Sequence, residues 1–310
     1  MDRRDFLGAV AALAPGCGRR REVRAGAKHF TEQVILGEVA TQHLERRLGI
    51  RVDRRLNLGG TLLAHRALVS GEIDFYPEYS GTALTAVLKL PPSSDAAAVF
   101  ERVRREYRAR WRIEWLDPLG FNNTFAMVIR GEDARGARIT TLSQAARGSW
   151  RLGMGYEFQQ RPDGLDGLLR TYGLRLSESP KTMDLGLLYQ ALLRKQVDMV
   201  AANSTDGLLA TLDVRVLEDD RRYFPPYEAA FAVHGGLPGR ARRALGELSG
   251  KLSNEVMREL NYEVDGAHRR AADVAASFLE RMGPVRSVSA GRHPSHGCHA
   301  DNLHKTLFFN

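Results

Sequence analysis

Apolar positions along the chain alternate between helical and strand spacing, in two successive blocks. Val34, Ile35, Val39, Leu44 and Leu48 recur at helical intervals, with Thr31 placed to cap that helix and Glu32 in its first turn. Residues 51–58 have strand character and precede a helix over 62–70. An apolar approach over 72–75 then reaches a turn at Pro77, which is expected to stop the strand. Ser80 or Gly81 is placed to cap a small-residue helix over 81–88. A loop at 90–94, an amphipathic helix over 96–110 and a strand over 113–116 complete the first block. Alternation resumes at Asn123, putting Asn123 and Phe125 on one face of a strand. After a turn-rich break at 130–137 come a helix start at 141–146, a strand at 151–154, helices at 165–172 and 184–194, and a strand at 197–201. A proline-stiffened stretch over 217–227 leads back to a helical region over 237–282. Strands and helices alternating twice, with a late return, predict two α/β lobes.

Size and composition narrow the class. A chain of 310 residues exceeds the usual single domain, and 43% apolar with 26% charged residues fits a soluble globular fold. The net charge of +8 comes from basic residues mixed with 37 acids, without a basic helix interleaved with aromatics, so no nucleic-acid partner is expected. Part of the excess lies in residues 19–24 and in the last thirty, outside the expected fold.

Residues 1–17 read as an export signal. Arg3-Arg4-Asp5-Phe6-Leu7 resembles a twin-arginine signal, and Pro15-Gly16-Cys17 resembles the end of a bacterial lipoprotein signal, although Ala14 and Pro15 depart from that pattern. The apolar run at 8–14 falls far short of the roughly 20 residues that span a bilayer. Lipidation of Cys17 would tether the chain outside the cytoplasmic membrane through an arginine-rich linker at 18–26. Cys17 and Cys298 stand at opposite ends, so the body has no disulfide framework. Beyond residue 283 the periodicity stops. His293, His296, Cys298, His299 and His304 cluster there without a recognisable metal spacing, and 284–310 is read as a disordered tail with no metal site.

Candidate chemistry concentrates at strand ends. Asp74-Phe75-Tyr76-Pro77-Glu78-Tyr79-Ser80-Gly81-Thr82 puts two tyrosines and a carboxylate where small ligands dock in open α/β sheets; an ordinary Tyr-Pro turn reads the same way. Lys28 sits on a strand-to-helix turn. Asn57-Leu58-Gly59-Gly60-Thr61 leaves backbone N–H groups free to face a polar ligand group, and Arg161, ahead of a helix, suits a two-pronged grip on a carboxylate. The body holds no HExxH pair, no GxSxG and no phosphate-binding glycine loop, and no cofactor is implied. Glu78, Asp163 and Asp206 are the carboxylates an enzyme would use.

Lys28 to Gln33, Asn57 to Thr61, Gly71 to Thr82, Pro118 to Ala126, Glu157 to Gly164, Ser204 to Gly207, Asp219 to Tyr227 and Leu252 to Asp265 together give the chain its resemblance to the substrate-binding proteins of glycine betaine, carnitine and choline ABC importers. The resemblance implies a type II periplasmic-binding-protein fold, with lobe one at 23–124 plus 227–283 and lobe two at 125–226. It also implies a monomer that delivers a betaine-type ligand to ABC permease and ATPase subunits; a sensory domain reporting to another partner is the rival. Tyr79, Thr82 and Thr61 are implied on lobe one, Asn123 and Phe125 near the crossing, Arg161 with Asn203, Thr205 and Asp206 on lobe two, Tyr227 on the return segment, and Lys28 at the mouth. On this reading, truncating Tyr79 or Tyr227 to alanine weakens binding and leaves stability unchanged. Two positions depart from the family: Phe125 stands where tyrosine is usual, and Asn203 where many members carry an aromatic. The cage is one ring short, which suits a larger betaine such as ergothioneine as well as glycine betaine.

Overall fold

A computed structural model describes residues 22–283. The signal, Cys17, Cys298 and the histidine-rich tail lie outside the described residues. In chain order the first block comprises β1 (Val23–Gly26), α1 (Thr31–Leu48), β2 (Val52–Arg55), α2 (Thr61–Val69) and β3 (Phe75–Tyr79), then α3 (Ser80–Thr82) continuing into a π-helical turn, α4 (Ala96–Trp111) and β4 (Ile113–Trp115). The second comprises β5 (Phe125–Arg130), α5 (Gly131–Ala137), α6 (Leu142–Ala145), β6 (Ser149–Trp150), β7 (Leu152–Met154), α7 (Tyr156–Gln160), α8 (Leu165–Tyr172), β8 (Arg175–Leu176), β9 (Lys181–Thr182), α9 (Leu188–Leu193), β10 (Met199–Asn203) and β11 (Val214–Val216). The return adds β12 (Ala229–His234), α10 (Gly239–Gly246), α11 (Asn254–Asp265) and α12 (Ala271–Arg281).

Two five-stranded mixed sheets result, one per lobe. The first runs β2-β1-β3-β12-β4 and the second β11-β5-β10-β7-β9. In the first, β1 is parallel to β2 and β3, while β12 lies antiparallel between β3 and β4. In the second, β10 is antiparallel to β5 and parallel to β7. The chain crosses between the sheets twice, and the two crossings are bonded to each other. Asn122 and Glu228 form an antiparallel bridge, the Asn123 N–H donates to the Tyr227 carbonyl at 3.1 Å, and the Tyr227 N–H donates to Asn122 Oδ1 at 2.5 Å. α1 packs against α10, α11 and α12, and α11 also packs on the short 3-10 turn Gly207–Ala210 that follows β10. That helix therefore ties the return segment to the second lobe.

Several local expectations change. Pro77 does not end the strand, since β3 runs through it with all five residues buried. Hydrogen-bonded pairs between β3 and β12 fall at the even positions of β3, as at Asp74 with His234 and Ser80 with Glu228, so Pro77 faces Phe231 at a non-bonded pair. Its missing N–H points to the β1 side, where pairing stops at Ala25 with Phe75. Thr31 is the first residue of α1 rather than its cap; Phe30 holds the cap position, and the Thr31 hydroxyl donates to Asp265. Tyr79 likewise precedes α3, and the Ser80 hydroxyl joins the Pro226 carbonyl to the Glu228 N–H instead of capping. The break at 130–137 is the helix α5, held by Glu132 and Asp133 in its first turn. The strand read at 197–201 begins two residues later, so that Asn203 ends β10, and Asn123 lies in the crossing just before β5.

The junction of α11 with the second lobe is tight. A Cβ on Gly207 would sit 2.3 Å from the Tyr262 backbone nitrogen. Gly207→Ala is therefore expected to destabilise the protein by about 1–3 kcal/mol. Urea denaturation measures it, and an unchanged midpoint would show that α11 does not hold that turn.

Candidate functional site

Between the sheets lies a cleft of about 750 Å³. Strand ends supply its walls, because each α/β connection leaves a turn there. From the first lobe come Lys28 and Phe30 between β1 and α1, Thr61 opening α2, and Tyr79 and Thr82 where β3 passes into α3. Phe125 at the start of β5, Tyr156, Glu157, Phe158 and Arg161 beyond β7, and Asn203 at the end of β10 face them from the second. Asn123 and Tyr227, on the two crossings, complete it. Gly81 lets Tyr227 lie against α3, for a Cβ there would fall 2.7 Å from the Tyr227 ring.

The rings already face cations. Lys28 Nζ stands 4.9 Å from the centre of the Tyr79 ring and 5.8 Å from that of Phe30. The Arg161 guanidinium stands 5.0 Å from the Phe125 ring and 5.3 Å from the Tyr227 ring. Phe125 in turn meets Phe158 edge-on at 4.9 Å. These rings form two groups, Phe30 with Tyr79 and Phe125 with Phe158 and Tyr227, each suited to positive charge.

Each cationic anchor is matched by a carboxylate. Lys28 donates to Glu78 at 2.6 Å and to the Thr61 hydroxyl at 3.3 Å. Arg161 grips Asp163 with two donors, at 2.9 and 2.5 Å, and reaches across the cleft to the Thr82 hydroxyl at 2.7 Å. Tyr227 donates to the same Asp163 at 2.5 Å. From the second lobe Glu157 accepts the Thr61 N–H at 2.6 Å and its hydroxyl at 3.1 Å, at the positive end of α2. Burial pushes the Glu157 carboxyl up, but Lys28, the Thr61 donors and Arg161 pull it further down, and the net shift is below the usual value. Asp163 is lowered in the same way, burial being outweighed by Arg161 and Tyr227.

Beneath this wall lies a buried acid that the sequence did not single out. Glu32 accepts from Tyr79 Oη at 2.5 Å, Asn123 Nδ2 at 2.8 Å, Thr205 Oγ1 at 2.5 Å and Asn261 Nδ2 at 3.1 Å. Burial raises its carboxyl above the usual range, against the pull of these four donors. Asp206 accepts from Tyr189 Oη at 2.9 Å and the Asn203 N–H at 3.0 Å, and burial pushes it up to about 6.

Of the predicted positions, Lys28, Thr61, Tyr79, Thr82, Asn123, Phe125, Arg161, Asn203 and Tyr227 share this one cleft, whereas Thr205 and Asp206 do not line it. Thr205 is consumed by Glu32. Lys28 is not at an open mouth but 2% exposed and pinned to Glu78. Tyr79 and Tyr227 are 4% and 2% exposed, so replacing either by alanine would also cost about 3–5 kcal/mol of stability, contrary to the expectation of unchanged stability. Glu32, Glu157 and Phe158 were missed. The two-residue spacing of Arg161 and Asp163 was a usable signal for that pair; for Glu32, an acid in a first helical turn, no local signal exists.

Two lobes on separate mixed sheets, crossed twice by the chain and enclosing an aromatic cleft, define a two-lobed binding protein of the periplasmic kind. The chain belongs to the family described as the substrate binding domain of the ABC-type glycine betaine transport system, whose model matches residues 21–281. It is 35% identical over 301 residues to a glycine-betaine-binding protein of Pseudomonas aeruginosa, covering 92% of this chain and 96% of that one. It is 34% identical over 262 residues to an ergothioneine transport permease/ergothioneine binding protein of Helicobacter pylori, covering 83% of this chain but 47% of that protein, so the chain spans about half that relative's length. A solved glycine betaine/carnitine/choline ABC transporter structure superposes with a TM-score of 0.70 at 31% identity, over 84% of this chain and 98% of that one.

Because the folded protein holds the Asp206 proton up to about pH 6, against a usual carboxyl value of 3.8, this group makes stability fall as pH rises through that window. Asp206→Asn, which still offers an acceptor to Tyr189 and Asn203, is expected to gain stability relative to wild type between pH 4 and 7. Urea titrations at both pH values measure it; a constant difference would mean that Asp206 titrates normally.

Proposed function

We infer that this chain is the extracytoplasmic receptor of an ABC importer, capturing a quaternary-ammonium compound such as glycine betaine, choline or carnitine between its lobes and passing it to permease and ATPase subunits. Its family is one of transport proteins rather than enzymes. The observation that carries the reading is the aromatic lining contributed from both sides of one cleft, Phe30, Tyr79 and Tyr227 facing Phe125 and Phe158. A trimethylammonium group cannot donate hydrogen bonds, and ring faces are the neutral groups that attract it, each by about 0.5–2 kcal/mol once desolvated. A ligand carboxylate finds Lys28, Arg161 and the Thr82 hydroxyl in the same space. Closure follows by population shift, since a ligand touching both lobes favours the shut arrangement. The lobes are assigned to 23–124 with 227–283 and to 125–226, the protein acts as a monomer, and Cys17 carries the lipid that holds it at the outer face of the cytoplasmic membrane.

A second reading, a larger betaine, is favoured by Asn203. It lines the cleft with an amide where a ring would complete the cage, and a relative is named for ergothioneine. Both readings place Phe125 against the cation. Phe125→Leu is expected to weaken binding of the best ligand in a thermal-shift screen of betaines, choline and carnitine by about two- to thirty-fold, while Phe125→Tyr keeps it. Isothermal titration measures this. Equal affinity in Phe125→Leu would take that ring out of the site, and no thermal shift with any quaternary ammonium would remove the proposal.

A further inference from the structure

Lysine and arginine line the cleft at three positions, Lys28, Lys89 and Arg161. Two of them are matched by a buried acid, Lys28 by Glu78 at 2.6 Å and Arg161 by Asp163 at 2.5 Å. Lys89 differs. Among the described residues it has no carboxylate partner, and its ammonium makes no hydrogen bond. It is exposed, so it stands where the cleft meets solvent. The two acids of the cleft lining are engaged elsewhere: Glu157 accepts from Thr61, and Asp184 accepts the Gly186 N–H at 2.9 Å within its own turn.

The local fold places Lys89 on the Arg161 side of the cleft. After α3 the π-helical turn Ala83–Val87 prolongs the helix, and Thr82, Thr85, Ala86 and Lys89 recur along it at intervals of three and four, which puts them on one face. From across the cleft Arg161 reaches the Thr82 hydroxyl at 2.7 Å and the Thr85 hydroxyl at 3.4 Å, and Ala86 and Lys89 continue the lining from there. A ligand carboxylate at Lys28 or Arg161 has to share donors with Glu78 or Asp163. At Lys89 it meets a charge that no protein acid offsets.

We propose that Lys89 is the specificity-determining residue by which the cleft reads the negative charge of its ligand. Its ammonium attracts the carboxylate of a zwitterion held by Arg161 and Thr82, and it repels a quaternary-ammonium compound that carries no carboxylate. The proposal rests on the quaternary-ammonium reading of the cleft. The rings hold the trimethylammonium head of either kind of ligand alike, so the distinction between the two falls to a charge outside the aromatic lining.

Glycine betaine and choline share a trimethylammonium head and differ in a carboxylate against a hydroxymethyl group, so the ratio of their affinities isolates the effect. In isothermal titration of the full chain, Lys89→Gln is expected to lower the ratio of glycine betaine to choline affinity about fivefold, as befits one solvent-facing charge, while Lys89→Arg keeps it. Lys89 has a φ of 58°, in the left-handed region that favours glycine. Lys89→Gly therefore removes the side chain without straining the turn, and it should shift the ratio in the same direction. Added salt should lower the wild-type ratio more than that of Lys89→Gln. A ratio unchanged or raised in both Lys89→Gln and Lys89→Gly, or an equal loss of both compounds, overturns the proposal, while wild-type binding of either compound still supports the receptor. Wild-type binding of neither removes the quaternary-ammonium reading and the proposal with it.

Discussion

The structure depends on one buried carboxylate. Glu32 sits at the start of α1, beneath the cleft, and its four donors come from β3, the crossing before β5, the turn after β10 and α11. An acid taken out of water costs several kcal/mol unless its oxygens are satisfied. The four bonds offset that cost only when all four segments are in place together. The same bonds fix the Tyr79 ring, seat Asn123 at the crossing and hold Thr205 of the second lobe against the first. Losing one donor would leave a buried charge less well satisfied rather than simply subtract one hydrogen bond.

A fixed hub of this kind explains how a cleft between two lobes keeps a defined aromatic lining. Tyr79 is held from below by Glu32 and Tyr227 by Asp163, and the edge-on stacking of Phe125 on Phe158 orients the ring that faces them. Rings with locked orientation present their negative faces without losing side-chain entropy when a cation arrives. The two crossings are bonded to each other next to the residues that line the cleft.

The alternation of strand and helix and the two lobes were legible in the sequence because spacing determines elements; Tyr79, Thr61 and Arg161 stood out at strand ends, whereas Phe125, Asn203 and Tyr227 came from the family resemblance. What was not legible depended on partners far along the chain. Pro77 was read as a strand stop because proline lacks a donor; which side of the strand that donor would have faced is decided by β12, some 150 residues later. Thr31 and Ser80 have cap chemistry, yet Asp265 in one case and the Pro226 and Glu228 backbone in the other recruit their hydroxyls. The resemblance placed Lys28 at the mouth, and Glu78, fifty residues on, draws it inward. Thr205 and Asp206 belong to a real turn beside the cleft, but their side chains are turned toward Glu32 and Tyr189.

The pairing of charges also bears on what the cleft recognises most strongly. Lys28 is matched by Glu78, Arg161 by Asp163, and the positive end of α2 by Glu157. A carboxylate arriving on a ligand must share those donors or displace a protein acid from them, so its net gain is a difference between two similar interactions. A trimethylammonium group displaces no hydrogen bond, because it forms none; its gain from the rings is offset instead by Lys28 and Arg161, which line the same space. The Glu157 contact to Thr61 and the Arg161 contact to Thr82 already draw the lobes together before any ligand supplies a bridge. A ligand that touches both lobes adds to contacts the protein already makes between them.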